Sequence, residues 1–198
     1  MCIIFFIMEK EWYTGSELKK IGFKKIGEKT RVSRSCKFYS FSGNIGDNTR
    51  IDDFSIFKGK VNIGNNVHIS SFGYFAAVGG EITIGNLTGI SNKVSIYAVS
   101  DNFLHEGLTN PTVSEKFRDT KKGKVLIGEN VMIGSHCLIL PNIKIGNSCT
   151  IGSMTLVNKS LKDGQILLTR QDKFWGINKN LKKINKLIYE FKKLYPTV

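Results

Sequence analysis

The side chains best suited to move a proton in this chain are three histidines and one aspartate. Histidine is the commonest general base, because its pKa lies close to neutral pH. His68, His105 and His136 are the only histidines, and Asp101 opens the polar stretch that contains His105. A carboxylate can orient a cationic amine, or act as a base where burial raises its pKa. Structural alternatives stay open. Each histidine could simply be a solvated residue of a loop or of the repeat described below, and Asp101 could cap backbone N–H groups at the start of a loop.

Large apolar residues recur every six positions and must set the frame that holds these groups. They are Ile26, Val32, Phe38, Ile45, Ile51, Phe57, Ile63, Ile69, Phe75, Ile84, Ile90, Ile96, Ile127, Ile133, Ile139, Ile145, Ile151 and Val157. An α-helix cannot keep a six-residue stripe on one face, whereas a repeat of this length is typical of a parallel β-helix. Eighteen units at three to a turn predict an all-β solenoid of about six coils.

Each six-residue unit is predicted to be one short strand followed by one corner. The fifth position is mostly small or β-branched, which suits a narrow interior. Cys36, Cys137 and Cys149 fall on such inward positions, so we expect them to be core residues. The second position is often glycine, which permits a tight corner and a close backbone approach.

The ladder stops between Ile96 and Ile127, and residues 101–124 are predicted to form a long, functional loop. The expected organisation is an N-terminal segment with a short helix (1–25), the β-helix (26–161) and a C-terminal tail and helix (162–198). Thr14 and Glu17 form a capping-box pattern at the start of the first helix.

The C-terminal helix is predicted to be amphipathic, with a lysine-rich outer face. Its apolar residues recur at helical spacing at Leu181, Ile184, Leu187, Ile188, Phe191 and Leu194. We expect it to cover the open end of the last coil, because an exposed sheet edge pairs with other chains. Binding to a membrane or to nucleic acid is the alternative.

The net charge of +13 is compatible with nucleic acid, a membrane surface or an anionic small substrate as partner. A bias in coding composition is the alternative explanation. No basic groove motif is visible, so nucleic-acid binding is not expected. The apolar residues 1–8 are too few to span a bilayer, so stable membrane insertion is not expected either. The cysteine pattern fits a reducing cytoplasm.

The units IGDNTR, IGNNVH, IGENVM, IGSHCL, IGNSCT and IGSMTL resemble the hexapeptide repeat of left-handed β-helix acyltransferases. The strings SELKKIGF, VGGEITIG, GISNKVSIYAVSDNF and LTNPTV are most similar to the enzymes that acylate nucleotide-linked amino sugars, of the dTDP-4-amino-4,6-dideoxyglucose type. The left-handed coil follows from this resemblance, since the spacing alone does not give the handedness.

The resemblance implies a homotrimer with acetyl-CoA along its later coils, no metal in the chemistry, and an amino-sugar nucleotide as acceptor for surface polysaccharide (O-antigen) synthesis. Transfer to a sugar hydroxyl and a non-enzymatic binding module are the alternatives. No Ser/His/Asp constellation is visible, which favours direct transfer.

The resemblance also places candidate site residues. In the O-acetyltransferase relatives a histidine precedes the long loop, and Asp101 stands at that place here. The predicted catalytic residues are His136, Asp101 and His105. The predicted acceptor contacts are His68, Tyr74 and Asn110, and the predicted acetyl-CoA contacts are Gly134, Ser135, Gly152, Ser153 and Lys159. The usual string after the repeats is missing, so Arg170, Lys173 or Trp175 would take over contacts at the end of CoA.

Overall fold

The structure, a computed structural model, describes residues 11–102, 107–108, 110–168 and 180–195. Its helices and strands follow the predicted ladder closely. In chain order they are α1 (Gly15–Ile21), β1 (Phe23–Ile26), β2 (Arg31–Val32), β3 (Lys37–Ile45), β4 (Arg50–Ile51), β5 (Ile56–Ile63), β6 (His68–Ile69), β7 (Tyr74–Ile84), β8 (Gly89–Ile90), β9 (Ser95–Tyr97), β10 (Val99–Asp101), a 3-10 helix (Glu115–Phe117), β11 (Thr120–Lys122), β12 (Lys124–Ile127), β13 (Met132–Ile133), β14 (Leu138–Ile139), β15 (Lys144–Ile145), β16 (Thr150–Ile151), β17 (Leu156–Val157), β18 (Ile166–Leu167) and α2 (Leu181–Leu194).

The strands stack in parallel as the walls of a solenoid. One wall is a seven-stranded sheet in the order β18-β16-β13-β8-β6-β4-β2. The other two walls are joined in a nine-stranded sheet, because β3, β5 and β7 each run on through one corner. The prediction of one short strand for every unit is therefore wrong for these three strands.

The seven-stranded wall shows seven coils, which we number from β2 in coil one to β18 in coil seven. The sequence count of about six missed the last coil. Its strand β18 lies in a segment read from the sequence as irregular, and Leu167 does not continue the spacing that ends at Val157.

The interior holds the ladder residues in register. Ile45, Ile63 and Ile84 lie opposite one another on successive coils, and Ile127 continues the column on β12. The rings of Phe38, Phe57 and Phe75 stack with centroids 5.2 and 4.6 Å apart. The inward cysteines are buried, as predicted.

Left-handed backbone turns the chain at the fourth position of most units. Asn48, Asn66 and Asn130 have φ of 50, 53 and 55°, a region that asparagine enters at lower cost than most residues. Where glycine occupies the second position a side chain has no room: a Cβ on Gly46 would lie 2.1 Å from Asn65 Oδ1. That same oxygen accepts the N–H of Asp47 at 2.8 Å, so neighbouring coils interlock at this corner.

The predicted capping box of α1 is present, with Thr14 and Glu17 bonding each other's backbone N–H groups. α2 is also present, but its predicted position over the open coil end is wrong. It starts beside Gly164 of the last coil and lines a groove with Asn66, Leu87 and Asn130 along one corner of the solenoid. None of the helices in the described ranges is long and apolar enough to cross a membrane.

Candidate active site

The interruption of the ladder builds a small hairpin outside the coils. β10 pairs with β11 in an antiparallel register that sets Asp101 opposite Thr120. The coil resumes after it without a shift, since Ile96 on β9 lies opposite Ile139 on β14. The insertion therefore interrupts the sequence but not the sheet, in which β9 and β14 pair directly. Asp101 lies at the end of β10, where the insertion leaves the coil.

The carboxylate of Asp101 is partly exposed and held by two donors. Arg118 Nη2 donates to Oδ1 at 3.0 Å, and the backbone N–H of Asn110 donates to Oδ2 at 3.3 Å. The hydrogen bond from Arg118, followed by that from Asn110, lowers the pKa of Asp101 below its usual value. A carboxylate that stays ionised at neutral pH is suited to orient an ammonium group, whereas a base with a raised pKa is not supported.

A polar groove of about 300 Å³ opens on the outer face of the seven-stranded wall. Gly89 is the outward residue of β8, between His68 on β6 and Met132 on β13. A Cβ on Gly89 would meet no atom within 4 Å, so the missing side chain leaves the space open. The other polar groups of the groove belong to Ser70, Ser91, Asn92 and Ser135.

His136 lies at the corner beside this groove. Its φ is 60°, its side chain is exposed, and its backbone N–H donates to the Asn92 carbonyl at 3.1 Å. Ser135 Oγ donates to Asn92 Oδ1. The structure therefore brings Ser135 to the groove wall and His136 to the adjacent corner, whereas the partners of Asp101 lie in the insertion.

His68 is fixed in orientation by a carboxylate. Its Nε2 lies 2.8 Å from Asp52 Oδ2, and Arg50 Nε donates to Asp52 Oδ1 at 2.6 Å. Burial by itself would raise the pKa of Asp52, but the hydrogen bonds from His68 and Arg50 outweigh it and lower the pKa. His68 thus lines the groove and is also part of a charge network, and its role as an acceptor contact stays a prediction.

The remaining acceptor candidates lie elsewhere. Tyr74 is on β7 of the other sheet, where its ring lies 5.6 Å from that of Tyr97. Asn110 is in the insertion, with its N–H on Asp101 and its side chain accepting from Thr112. His105 is outside the described residues.

The predicted cofactor residues occupy one corner of two adjacent coils. Ile133 on β13 lies opposite Ile151 on β16, which places Gly134 and Ser135 beside Gly152 and Ser153. A Cβ on Gly134 would be 2.5 Å from the Ser153 nitrogen, so this corner requires glycine. Lys159 is exposed and follows β17, on the coil that begins with β16. Arg170, Lys173 and Trp175 fall outside the described residues.

Sequence reasoning missed Ser91 and Asn92. The available signal was the unit Ile90-Ser-Asn-Lys, which stands directly before Ile133-Gly-Ser-His in the stack of coils. Ser91 and Asn92 are polar residues at the second and third positions of their unit, and they directly follow Gly89 and Ile90 of β8. Such a pair next to an outward glycine indicates an open groove on the wall.

A parallel solenoid of six-residue units with a polar groove and an inserted hairpin is the architecture of a hexapeptide-repeat transferase. Comparison with known proteins agrees: the bacterial transferase hexapeptide family (six repeats) matches residues 124–159. The dTDP-4-amino-4,6-dideoxy-D-glucose acyltransferase of Escherichia coli is 33% identical over 148 residues, which cover 72% of this chain and 76% of that protein.

Solved structures of AntD, an N-acyltransferase from Bacillus cereus, are similar over most of the chain. A variant bound to dTDP-4-amino-4,6-dideoxyglucose and CoA has a TM-score of 0.84 and 34% identity, covering 92% of this chain and 97% of AntD. A complex with dTDP and 3-hydroxybutyryl-CoA has the same TM-score and identity, covering 93% and 98%. The chain belongs to the hexapeptide-repeat acyltransferase family, and its solenoid is a left-handed parallel β-helix, as the sequence resemblance predicted.

Proposed function

We propose that this chain transfers an acyl group from a CoA thioester, such as acetyl-CoA, to the amino group of a nucleotide-linked amino-deoxy sugar. The observation that carries the proposal is the similarity to AntD, which covers 92% of this chain, because the AntD variant holds both CoA and dTDP-4-amino-4,6-dideoxyglucose. The groove beside Ser91 is the place for the acceptor.

A second observation supports the roles of Ser91 and Asp101. AntD has been solved with one serine substituted and with one aspartate substituted. Ser91 and Asp101 of this chain are ten positions apart, as those two residues are. Ser42 and Asp52, and Ser153 and Asp163, have the same spacing, but only the pair of Ser91 and Asp101 joins the groove to the insertion. The family resemblance in the sequence also proposes Asp101, at the start of the long loop.

In the proposed reaction the bound ammonium group first loses one proton to solvent or to a base. The neutral amine nitrogen then attacks the thioester carbonyl, a C–N bond forms and the C–S bond breaks. The nitrogen loses a proton and the departing thiolate gains one, so the products are an amide and free CoA. Asp101, ionised and held by Arg118, orients the amine before attack. Because β9 separates Asp101 from the groove at Ser91, Asp101 would act on an acceptor in the groove of a neighbouring subunit, as Tyr74 would. Backbone N–H groups at the corners of the late coils would stabilise the developing oxyanion.

The other groups take roles by position. His136 borders the groove and is the candidate to accept or relay a proton. His68 would contact the acceptor. The corner of Gly134, Ser135, Gly152 and Ser153 would hold the donor, with Lys159 toward a phosphate. Tyr74, on the other sheet, would reach an acceptor only across a subunit boundary, which fits the proposed homotrimer.

The proposed setting is synthesis of a surface polysaccharide such as the O-antigen, in the cytoplasm. A lipopolysaccharide role is named for another relative, the putative O-acetyl transferase WbbJ of Escherichia coli K12, which is 27% identical over 155 residues and covers 70% of this chain and 78% of that protein. Because that relative is named an O-acetyl transferase, transfer to a hydroxyl group is the second candidate function.

The direct test is thiol release from acetyl-CoA and 3-hydroxybutyryl-CoA with a panel of dTDP- and UDP-linked amino sugars. We expect release that depends on the acceptor, and a product that survives mild base as an amide does. A product cleaved by mild base would be an ester and would establish the second candidate instead. Absence of release with every amino sugar would refute the proposal.

A further inference from the structure

Two arginines stand side by side on the outer face of the first coils. Arg31 on β2 is directly opposite Arg50 on β4, and Arg50 is opposite His68 on β6. Both guanidinium groups lie over the ring of Trp12, each 5.9 Å from its centroid. Like charges on directly opposed residues of neighbouring strands are destabilising. A stacked pair of arginines therefore indicates a counter-charge that is supplied by another molecule.

The carboxylates nearby do not balance the pair. Asp52 pairs with Arg50 and is shared with His68, and Arg31 has no carboxylate partner among the described residues. Arg50 keeps 48% of its side-chain surface exposed, so it remains accessible while paired. One free positive charge and one shared charge thus face solvent, about one strand spacing of 4.8 Å apart.

Trp12 and Arg50 also line a cavity of about 480 Å³ between the N-terminal segment and the first coils. That volume lies within the range of small-molecule sites. Arg34 lines it as well, fixed by two hydrogen bonds to Glu17 at 2.7 and 2.8 Å. The pocket is therefore shaped by side chains that are already held in place.

The acidic residues of the pocket limit where an anion can lie. Glu11, Asp52 and Asp53 are on its wall, and Asp53 already accepts the hydroxyl of Ser33. A phosphate beside these carboxylates would be repelled. Arg31 does not line the cavity, so we place the phosphate outside it, by the Trp12 ring that Arg31 shares with Arg50. Carboxylates can accept hydrogen bonds from the hydroxyl groups of a ribose or another sugar, so this part of the wall suits the sugar.

The pocket and the groove of the candidate active site are neighbours on the same wall. Ser71 lines the pocket and Ser70 lines the groove, and the hydrogen bond between Asp52 and His68 joins the two. Arg50 on β4 is two strands from Gly89 on β8, which is about 10 Å at the usual strand spacing. One sugar ring joined to a diphosphate bridges a gap of this order.

We propose that Arg31 and Arg50, held on Trp12, bind the diphosphate of the nucleotide-linked acceptor, so that its sugar extends along the wall to Ser91. This assignment rests on the proposed function and names the part of the acceptor that the first coils recognise. It also gives a functional role to the N-terminal segment, which contributes Trp12 and closes the pocket.

The test is calorimetric titration of the full chain with dTDP and with inorganic pyrophosphate, for wild type, Arg31→Gln and Arg50→Gln. Loss of a charge-assisted contact is expected to weaken binding of both probes about 10- to 100-fold for each substitution. In steady-state kinetics KM for the amino-sugar nucleotide should rise by a similar factor, with KM for the acyl-CoA unchanged. Lys37→Gln, which removes an exposed cation on the other sheet, is the matched control and should change none of these values.

Retention of wild-type affinity for dTDP and pyrophosphate by both variants would overturn the assignment. Failure of the proposed function gives a different result, because the wild type would then release no thiol with any amino sugar. Circular dichroism and thermal melts of the variants separate lost binding from lost folding. A melt unchanged from wild type together with weakened binding supports the assignment.

Discussion

The coils and the inserted hairpin are held together by different forces. Inside the coils, Phe57, Phe75 and Ile133 are fully buried. In the insertion, the 3-10 helix buries no residue, and ion pairs join Arg118 to Asp101 and Lys122 to Glu115. The difference indicates that stability lies in the apolar columns, while the insertion supplies a charged group whose loss the fold can tolerate. Four predictions test this separation.

The largest effect is expected from a cavity in the coils. Phe57 lies between Phe38 and Phe75 in the ring stack and has no exposed surface. Phe57→Ala should lower the free energy of unfolding by about 3–5 kcal/mol. Denaturant titration followed by circular dichroism measures it. A loss below about 1 kcal/mol would mean that the interior is not the main source of stability.

The second effect should appear in activity alone. Asp101→Asn removes the charge that orients the amine but keeps the shape of the side chain. We expect kcat/KM for the amino-sugar nucleotide to fall at least about 100-fold, with Tm unchanged. Glu115→Gln, at another paired carboxylate of the insertion, is the control and should retain activity. Equal losses for both variants would show that only the shape of the loop matters.

The sequence predicted the coils well and the insertion only in part. The six-residue period gives the columns from Ile26 to Val157 because the first position of each unit points inward and carries a large apolar side chain. The pairing of Asp101 with Arg118 depends on the path of the insertion, which has no period, and the sequence placed Asp101 without its partner. The sequence also did not predict that α2 lies along a corner of the solenoid, because an apolar helical face does not show which surface the helix will pack on.

A smaller effect is expected at the N-terminal end of the frame and depends on pH. The backbone and side-chain hydrogen bonds of Thr14, followed by the one from Arg34, lower the pKa of Glu17 to about 2. Its contribution to stability is therefore present above pH 4.5 and is lost as the pH falls toward 2. The Tm difference between wild type and Glu17→Gln should shrink between pH 6 and pH 3. A difference that stays constant would contradict this account of the helix cap.

The smallest effect is expected from the exposed ion pair of the insertion. Lys122→Gln removes the partner of Glu115, whose side chain is 72% exposed. Exposed pairs contribute little because water screens them, so the Tm measured by differential scanning fluorimetry should stay the same. A clear drop in Tm would mean that the insertion stabilises the coils, and the contrast between the two regions would fail.

The central claim is transfer to an amine that lies in the groove at Ser91 and is oriented by Asp101 across a subunit boundary of the proposed homotrimer. Its most direct test compares two acceptors that differ only at the reacting group: dTDP-4-amino-4,6-dideoxyglucose and the same sugar with a hydroxyl group at C4. Initial rates of thiol release from acetyl-CoA or 3-hydroxybutyryl-CoA are measured with each acceptor. The account predicts rapid release with the amine and background release with the alcohol. Equal rates, or release with the alcohol alone, would contradict it.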